Sequence, residues 1–373
     1  SRLGFPQRLD LRKELLRTMS RSRFKPPSLP ECLCALEDKR RAGQKLEPSD
    51  LVNYYKPHFA SLMQNGSCEF LRKPVRGEWL AAHDESGQSM ASFVRSPFKA
   101  APHVGCTAVA LVRLGEAWEI PSVPALVEYI SAFYRVPVFE TAPVSLQTLL
   151  ASAVYRTGSE GQRQFLAQDL FEVVKKAVND DSEMRRKSVV AVGVTMEDLY
   201  HQENWNFVFG LADAMAGLGV FSFYRYDVGS PLVDEQERRR ICLHRSCKVM
   251  THELGHLFGL KHCVYFRCLM NGSNHLEELD NNHIVLCPIC TAKLVDTFRW
   301  DLANRYEALL QASHKLALFH DDEQELLISL RDQAAQYQML NSHAPPGTID
   351  WMCVDQAPAR PTHHKSVVRR RVT

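Results

Sequence analysis

The sequence has almost no net charge and no long apolar run. Its 45 lysines and arginines nearly balance its 43 aspartates and glutamates, which leaves a formal charge of +2 at pH 7. We therefore expect no global electrostatic attraction to nucleic acid or to an anionic membrane. No apolar run approaches the roughly 18 residues that a membrane-spanning helix requires, so we also predict that the protein has no membrane partner.

A secretory signal is lacking as well, since no apolar centre of the kind that such a signal needs lies near Ser1. The 11 cysteines are an odd number, which does not suit a scaffold of paired disulfides. Both observations favour a reducing, intracellular compartment, and we expect a cytoplasmic protein, with the nucleus as the alternative. A content of 45% hydrophobic and 24% charged residues is typical of a globular protein with a sizeable core.

Residues 252–262 read HELGHLFGLKH. His252 and His256 stand one helical turn apart, so both imidazoles leave the same face of a helix and can bind a zinc ion at about 2.0–2.1 Å. Gly259 allows the helix to end in a left-handed turn, after which the chain can return with His262 as a third ligand. Three protein ligands leave one tetrahedral position for water, which is the arrangement of a catalytic zinc.

Glu253 adds a carboxylate to this motif. It projects roughly 100° around the helix from His252, so it can face the water instead of the metal. Because zinc lowers the pKa of its bound water to about 7, Glu253 is the expected general base. The alternative is a buried amphipathic helix with two incidental histidines, but the register of Glu253, Gly259 and His262 favours catalysis.

Four cysteines follow the third histidine: Cys263, Cys268, Cys287 and Cys290. The last two form a C-x-x-C knuckle, and four thiolates with no water position describe a closed, structural zinc site. Because neighbouring residues of an extended chain point to opposite sides, His262 and Cys263 can bind two different metals. Disulfide pairing or free buried thiols are the alternative, which the two short spacings behind a catalytic histidine disfavour.

Residues 252–290 resemble the archaemetzincins, a branch of the metzincin metallopeptidases, in the HELGHLFGLKH motif, the four cysteines and Met270. The resemblance implies a catalytic zinc on the three histidines, Glu253 as the base and a second zinc on the four cysteines. Met270 would supply an apolar floor beneath the histidines. The implied fold is a metzincin-like zincin, a layered α+β fold with a mixed twisted sheet, an active-site helix, a four-cysteine zinc-binding C-terminal subdomain and extra C-terminal helices.

We divide the chain at about residues 104 and 310. Residues 1–104 are an extension of unknown role, whose basic first part suits either a solvated helical face or a transit segment. Residues 105–310 carry the resemblance to the peptidases, and both zinc sites fall within 252–290. Residues 311–373 comprise a helical extension and a basic tail, for which a disordered solvated tail and a localisation signal are the two interpretations.

The region 105–310 alternates between strand and helix patterns, as expected of a sheet with helices packed against it. Short apolar runs predict the strands, and apolar positions at helical spacing predict the helices. The predicted elements are strands at 107–113, 136–140 and 188–194 and helices at 121–134 and 161–178.

Two further predictions concern the surroundings of the motif. Residues 206–210 and 219–225 are predicted to be two strands joined by a Gly-containing loop. The resemblance to metzincins, in which an antiparallel edge strand forms the rim of the cleft, implies that the first of them belongs to that rim, where a peptide adds as another strand. The alternative is an ordinary strand with core aromatics. The charged segment 229–245 is predicted to be a surface loop, with Ser246 as the N-cap of the active-site helix.

The sequence therefore predicts a zinc-dependent peptidase that carries two zinc ions and hydrolyses peptide or protein substrates. The second hypothesis is a zinc-stabilised binding protein with a vestigial peptidase site. Glu253 distinguishes the two, because a purely structural histidine site needs no carboxylate at that position. Endopeptidase and exopeptidase activity are both compatible with the sequence, which also leaves the oligomeric state unknown.

Overall fold

The computed structural model describes residues 24–37, 49–97, 99–226, 233–341 and 344–354. The basic tail at 360–371 lies outside these residues, as does most of the basic N-terminal stretch, so what the sequence predicts for them stays a prediction. None of the described helices is both long enough and apolar enough to cross a membrane.

The described residues form eight strands, thirteen α-helices and one 3₁₀ helix (Tyr224–Tyr226). The strands are β1 (Ala108–Leu114), β2 (Val138–Glu140), β3 (Tyr155–Thr157), β4 (Arg163–Leu166), β5 (Ser188–Thr195), β6 (Asp198–Tyr200), β7 (Gly210–Asp213) and β8 (Leu218–Ser222). The helices are α1 (Leu29–Leu36), α2 (Asp50–Gln64), α3 (Trp79–Ala82), α4 (Met90–Val94), α5 (Val123–Tyr134), α6 (Leu146–Ser152), α7 (Ala167–Asp180), α8 (Ser182–Lys187), α9 (Glu235–Leu257), α10 (Leu276–Asn281), α11 (Pro288–Phe298), α12 (Leu302–Leu316) and α13 (Asp321–Leu340).

A mixed five-stranded sheet forms the centre of the fold, in the order β2-β1-β5-β8-β7. The first four strands are parallel, and β7 pairs with β8 in the antiparallel direction at the edge. The apolar runs predicted to be β1 and β5 are strands to within one residue. The layered α/β class predicted from the alternating pattern is therefore confirmed.

Side chains of the parallel strands alternate between two cores, one on each face of the sheet. In β1, Val109 and Leu111 lie in the larger core, whereas Ala110 and Val112 lie in the smaller one. This is the period of two that a strand imposes on its side chains. Helices α5 and α9 contribute to the larger core and α7 to the smaller one, so β1 is apolar on both faces.

A second sheet of three strands, β3-β4-β6, lies beside the first. It shows that the helix predicted at 161–178 is wrong at its start, because residues 163–166 form β4 and the helix begins at Ala167. Phe165 is fully buried and pairs with Tyr155 on one side and Leu199 on the other. Pairing on both sides thus overrides the helical spacing of the apolar residues in this stretch.

The histidine motif lies at the end of α9, which is much longer than predicted. Residues 235–245 are helical and not a surface loop, with Asp234 as the N-cap. Ser246 is not an N-cap but a buried residue inside the helix, whose hydroxyl donates to the backbone oxygen of Cys242 at 2.7 Å.

Ion pairs between side chains explain why this charged segment is helical. Glu235 pairs with Arg238 and Arg239 at 2.9 and 2.8 Å, and Glu237 pairs with Arg240 at 2.7 Å. Pairs three or four residues apart stabilise a helix by about 0.2–0.5 kcal/mol each. The segment therefore forms a helix without the apolar stripe that would have revealed it in the sequence.

Helices from both ends of the described chain pack around the motif region. The N-terminal helix α2 packs against α11, the helix that follows the C-x-x-C knuckle, and α1 and α4 lie beside it. Toward the C-terminal end of the chain, α12 packs against both α5 and α13. The side chains between these helices belong to the same core as the inner face of α9.

The strand that was predicted to form the rim begins four residues later than predicted. The strand begins at Gly210, and residues 206–209 are irregular apart from a single bridge between Val208 and Leu199. Side-chain contacts, and not strand pairing, hold this segment. The Arg225 guanidinium lies over the Phe207 ring at 3.9 Å from its centroid. The same guanidinium donates to the Asp198 carboxylate at 2.6 and 3.0 Å.

We predict that Asp198→Ala lowers the free energy of unfolding by about 3–5 kcal/mol. Asp198 is only 1% exposed, and its carboxylate accepts hydrogen bonds from Arg225, Gln162 and Gln164. Its loss leaves the Arg225 charge largely buried without a counter-charge. Urea unfolding of wild type and variant measures the difference.

The control is Glu203→Ala, which removes an 82% exposed carboxylate from the turn that follows β6. Its change should stay within about 0.5 kcal/mol, as expected of surface positions. Equal effects of the two substitutions would show that the Asp198 network does not hold the rim in place.

Candidate active site

The three histidines of the motif converge on one point. His252 Nε2 and His256 Nε2 lie 3.0 Å apart, and the ring centroids of the three residues are separated by 4.7, 5.3 and 5.0 Å. One nitrogen from each of His252, His256 and His262 lies within 4.8 Å of the others. The structure therefore brings together the three residues that the sequence predicted as ligands.

Hydrogen bonds determine which nitrogen of each ring carries the proton. His252 Nδ1 lies 2.8 Å from the backbone oxygen of Leu269, and His256 Nδ1 lies 2.8 Å from that of Leu260. A backbone carbonyl only accepts, so both Nδ1 atoms carry hydrogens and both Nε2 atoms present lone pairs. His262 Nδ1 is held in the same way, 2.8 Å from Glu85 Oε1.

This donor set fits a zinc ion. Two Nε2 lone pairs that face each other at 3.0 Å repel unless a cation lies between them. Nitrogens at 2.0–2.1 Å from a tetrahedral zinc are about 3.3–3.4 Å apart, close to the observed separation. Burial, followed by the neighbouring imidazoles, lowers the pKa of His252 well below its usual value, and burial lowers the pKa of His256 to about 4. Both rings are therefore neutral at pH 7, as a metal ligand must be.

The turn after the helix delivers the third histidine. Gly259 has φ +92°, a left-handed conformation that L side chains rarely adopt, and Leu260 N donates to Gly255 O at 2.9 Å. A β-carbon at Gly259 would also lie 2.5 Å from Lys99 Cβ. The left-handed end of the helix predicted from the sequence is thus confirmed.

The four cysteines form a second cluster behind the histidines. Their sulfurs all lie within 4.8 Å of one another, and Cys263 Sγ and Cys287 Sγ are 3.7 Å apart. A disulfide bond measures about 2.0 Å, whereas sulfurs at 2.3 Å from a tetrahedral zinc are about 3.8 Å apart. The backbone N–H groups of Met270 and Cys287 donate to Cys268 Sγ at 3.4 and 3.3 Å. The cluster therefore fits a closed zinc site, separate from that of His262.

Asn271 shapes the loop that joins the two clusters. Its amide donates to the backbone oxygens of Cys263 and Phe266 at 2.7 and 3.0 Å, and its Oδ1 accepts from Cys268 N at 2.7 Å. Met270, the preceding residue, is fully buried and packs against the helix backbone, since a β-carbon at Gly255 would lie 2.6 Å from its sulfur.

A cleft of about 630 Å³ opens in front of the histidines. Glu253 lies on its floor beside the three rings, and removal from water raises the pKa of its carboxyl to about 7, with the His262 ring opposing the shift. The opposite wall is the irregular segment 204–209 and the rim strand β7. This wall carries the aromatic side chains of Trp205, Phe207 and Phe209.

Trp79 and Glu85 border the site but were missed in the sequence. The Trp79 ring lies edge-on to His262 with centroids 5.0 Å apart, and Glu85 binds the same histidine from behind. Both residues precede the motif by more than 160 positions, and neither belongs to a recognisable pattern. No signal within a single sequence indicates that they reach the site.

Three converging imidazoles, a neighbouring carboxylate and a cleft are typical of zinc-dependent hydrolases. Residues 151–296 match the profile of Peptidase family M54. Archaemetzincin-2 of Macaca fascicularis is 32% identical over 266 residues, which cover 63% of this chain and 71% of that protein. Archaemetzincin-2 of Homo sapiens is 31% identical over 268 residues, with the same shares covered. Archaemetzincin of Thermococcus kodakarensis is 33% identical over 174 residues, 45% of this chain and 85% of that protein.

The chain belongs to the archaemetzincin family and is a zinc metallopeptidase. The family predicted from the motif and the cysteines is confirmed. Membership implies zinc as the cofactor and a peptide or protein as the substrate.

We predict that Cys290→Ser lowers the zinc content of the purified protein by one ion per chain and lowers its thermal stability, because a serine hydroxyl does not replace a thiolate ligand. Cys247→Ser is the matched control, since Cys247 and Cys290 are both 0% exposed and only Cys290 lies in the cluster. Mass spectrometry of bound metal and thermal unfolding measure both effects. Full zinc content in Cys290→Ser would contradict a thiolate zinc site.

Proposed function

We propose that the protein hydrolyses peptide bonds at the three-histidine site, with Glu253 as the general base. His252, His256 and His262 would bind the catalytic zinc, and Cys263, Cys268, Cys287 and Cys290 a second, structural zinc. The observation that carries the proposal is the convergence of three histidines, two of them with unprotonated Nε2 atoms, at a cleft that Glu253 also lines. Zinc held by these histidines would polarise a peptide carbonyl and lower the pKa of a water molecule.

Glu253 performs the proton transfers in this proposal. It follows His252 directly on α9 and faces the same cleft, and no described side chain donates a hydrogen bond to its carboxylate. The carboxylate is therefore available to accept a proton from the attacking water and to return it to the leaving amine. A metzincin-like arrangement, with Met270 as the apolar floor, belongs to the same proposal and is supported by the packing of Met270 against Gly255.

The rim strand β7 provides the means of binding an extended peptide. In an antiparallel pair, alternate residues direct their N–H and C=O groups toward the partner strand. Phe209 O accepts from Ser222 N at 2.8 Å, so the backbone groups of Phe209 and Leu211 face β8. The N–H and C=O groups of Gly210 and Ala212 therefore point away from β8, toward the open edge. Gly210 and Ala212 also line the cleft. A substrate added at this edge would run along the cleft past the histidines.

We predict that Glu253→Gln lowers kcat for a cleaved peptide by about 10²–10⁴-fold, the usual contribution of a general base, and leaves zinc content unchanged. A peptide library identifies a substrate, and kinetics with bound-metal analysis measure the effect. Glu235→Gln, at the exposed start of the same helix, should retain full activity. Cleavage by Glu253→Gln at the wild-type rate would exclude this residue as the base.

We predict that Ala212→Pro lowers kcat/KM by at least tenfold, because it removes a backbone N–H that points at the substrate while sparing the bonds to β8. Ala212→Val keeps the N–H and serves as the control, with activity within a few-fold of wild type. Circular dichroism and zinc content must match wild type in both variants. Unchanged turnover in a folded Ala212→Pro protein would exclude strand addition at this edge.

A further inference from the structure

The third histidine lies in a loop that the helix itself does not support. His252 and His256 stand on α9, whereas residues 260–264 have no regular secondary structure. Contacts to this loop come from residues 69–100, which precede the stretch that matches the peptidase family. Three separate parts of that segment bind the loop.

Residues 69–71 pair with residues 265–267 just after the ligand. Leu71 N donates to Tyr265 O at 3.2 Å, and Arg267 N donates to Glu69 O at 2.9 Å. Between these bonds, the Phe70 and Phe266 rings stack with centroids 4.9 Å apart. The pairing fixes the far end of the loop to the N-terminal segment.

Gln88 binds the near end of the same loop. Its amide donates to Gly259 O at 2.9 Å, and its Oε1 accepts from Lys261 N at 3.2 Å. The side chain is 4% exposed, so both bonds are shielded from water. The neighbouring Gly87 packs so closely that a β-carbon there would lie 2.4 Å from the Tyr265 ring.

Glu85 lies between these two anchors and binds the ligand itself. Its Oε1 is 2.8 Å from His262 Nδ1, so His262 is the one member of the triad held by a carboxylate and not by a backbone carbonyl. Both side chains are partly buried, at 27% and 19% exposure, and Trp79 covers the ring from one side. The pair is thus shielded more than an ordinary surface ion pair.

We propose that Glu85 is a positioning residue for the catalytic metal and that residues 69–100 form a structural part of the catalytic centre. A carboxylate behind a metal-binding histidine fixes its tautomer and orientation and makes the other nitrogen a stronger donor to the metal. The proposal gives a role to a segment that precedes the family match. It rests on the proposed assignment of His262 as a zinc ligand.

The test measures the affinity of the histidine site for Zn²⁺ by competition with a chelator, without any peptide. Glu85→Ala should weaken Zn²⁺ binding about 10–100-fold, the usual cost of losing such a partner. Glu85→Gln, which can accept the hydrogen bond without the charge, should fall between Glu85→Ala and wild type. Asp84→Asn, an exposed neighbour, is the control and should bind as wild type does.

Two further readouts separate positioning from a general loss of structure. Thermal unfolding of the protein with an empty histidine site should be the same in Glu85→Gln and wild type, and the thiolate-bound zinc should remain in both. Zn²⁺ affinities within twofold of wild type in both Glu85 variants would overturn the role of Glu85 alone. A wild-type protein that binds zinc only at the cysteines would overturn this role together with the proposed function.

Discussion

The structure depends on keeping three imidazoles turned toward one another, with the unprotonated Nε2 atoms of His252 and His256 face to face. In the absence of a cation this arrangement is repulsive, because the lone pairs of His252 and His256 face each other at 3.0 Å. It persists only if the surrounding chain holds each ring from behind. A single helical turn provides two of the rings, but their orientation comes from the Leu260 and Leu269 carbonyls, which lie beyond the end of the helix.

The cysteine cluster places one of those carbonyls. Leu269 lies between Cys268 and Met270, in a loop fixed by the bonds from Leu269 N to Val285 O at 2.9 Å and from Cys263 N to Met270 O at 2.7 Å. The carbonyl that orients His252 is therefore positioned by the loop that closes around the four sulfurs. His262 also directly precedes Cys263, so the histidine cluster and the cysteine cluster are held by the same loop.

The region 252–290 could be read from the sequence because its geometry is local. A spacing of four residues on a helix, a glycine at its end and two short cysteine spacings each determine a contact between nearby residues. The first part of α9 could not be predicted in this way, because it has no apolar stripe and is stabilised by ion pairs on its surface. The strand at the rim was predicted too early, because the alternating aromatic residues at 205–209 have the pattern of a strand. Phe207 in this stretch instead contacts the Arg225 guanidinium and makes no strand pairing. Glu85 lies 177 positions from His262, and only the folded chain brings the two together.

The three histidines differ in what determines their position. This difference explains why a remote segment contacts His262. His252 and His256 inherit the rigidity of a 23-residue helix that is buried on its inner face. His262 stands in an irregular loop, and such loops open more readily than helices because few internal hydrogen bonds hold them. A ligand that moves by a fraction of an ångström weakens the metal site as a whole, since coordination distances are narrow. Anchoring the loop at residues 259, 261, 265 and 267 and holding the ring through Glu85 supplies the rigidity that its own stretch of chain lacks. The proposed catalytic centre therefore draws on two distant parts of the chain, the motif that carries the three histidines and the N-terminal segment that contacts the loop of the third.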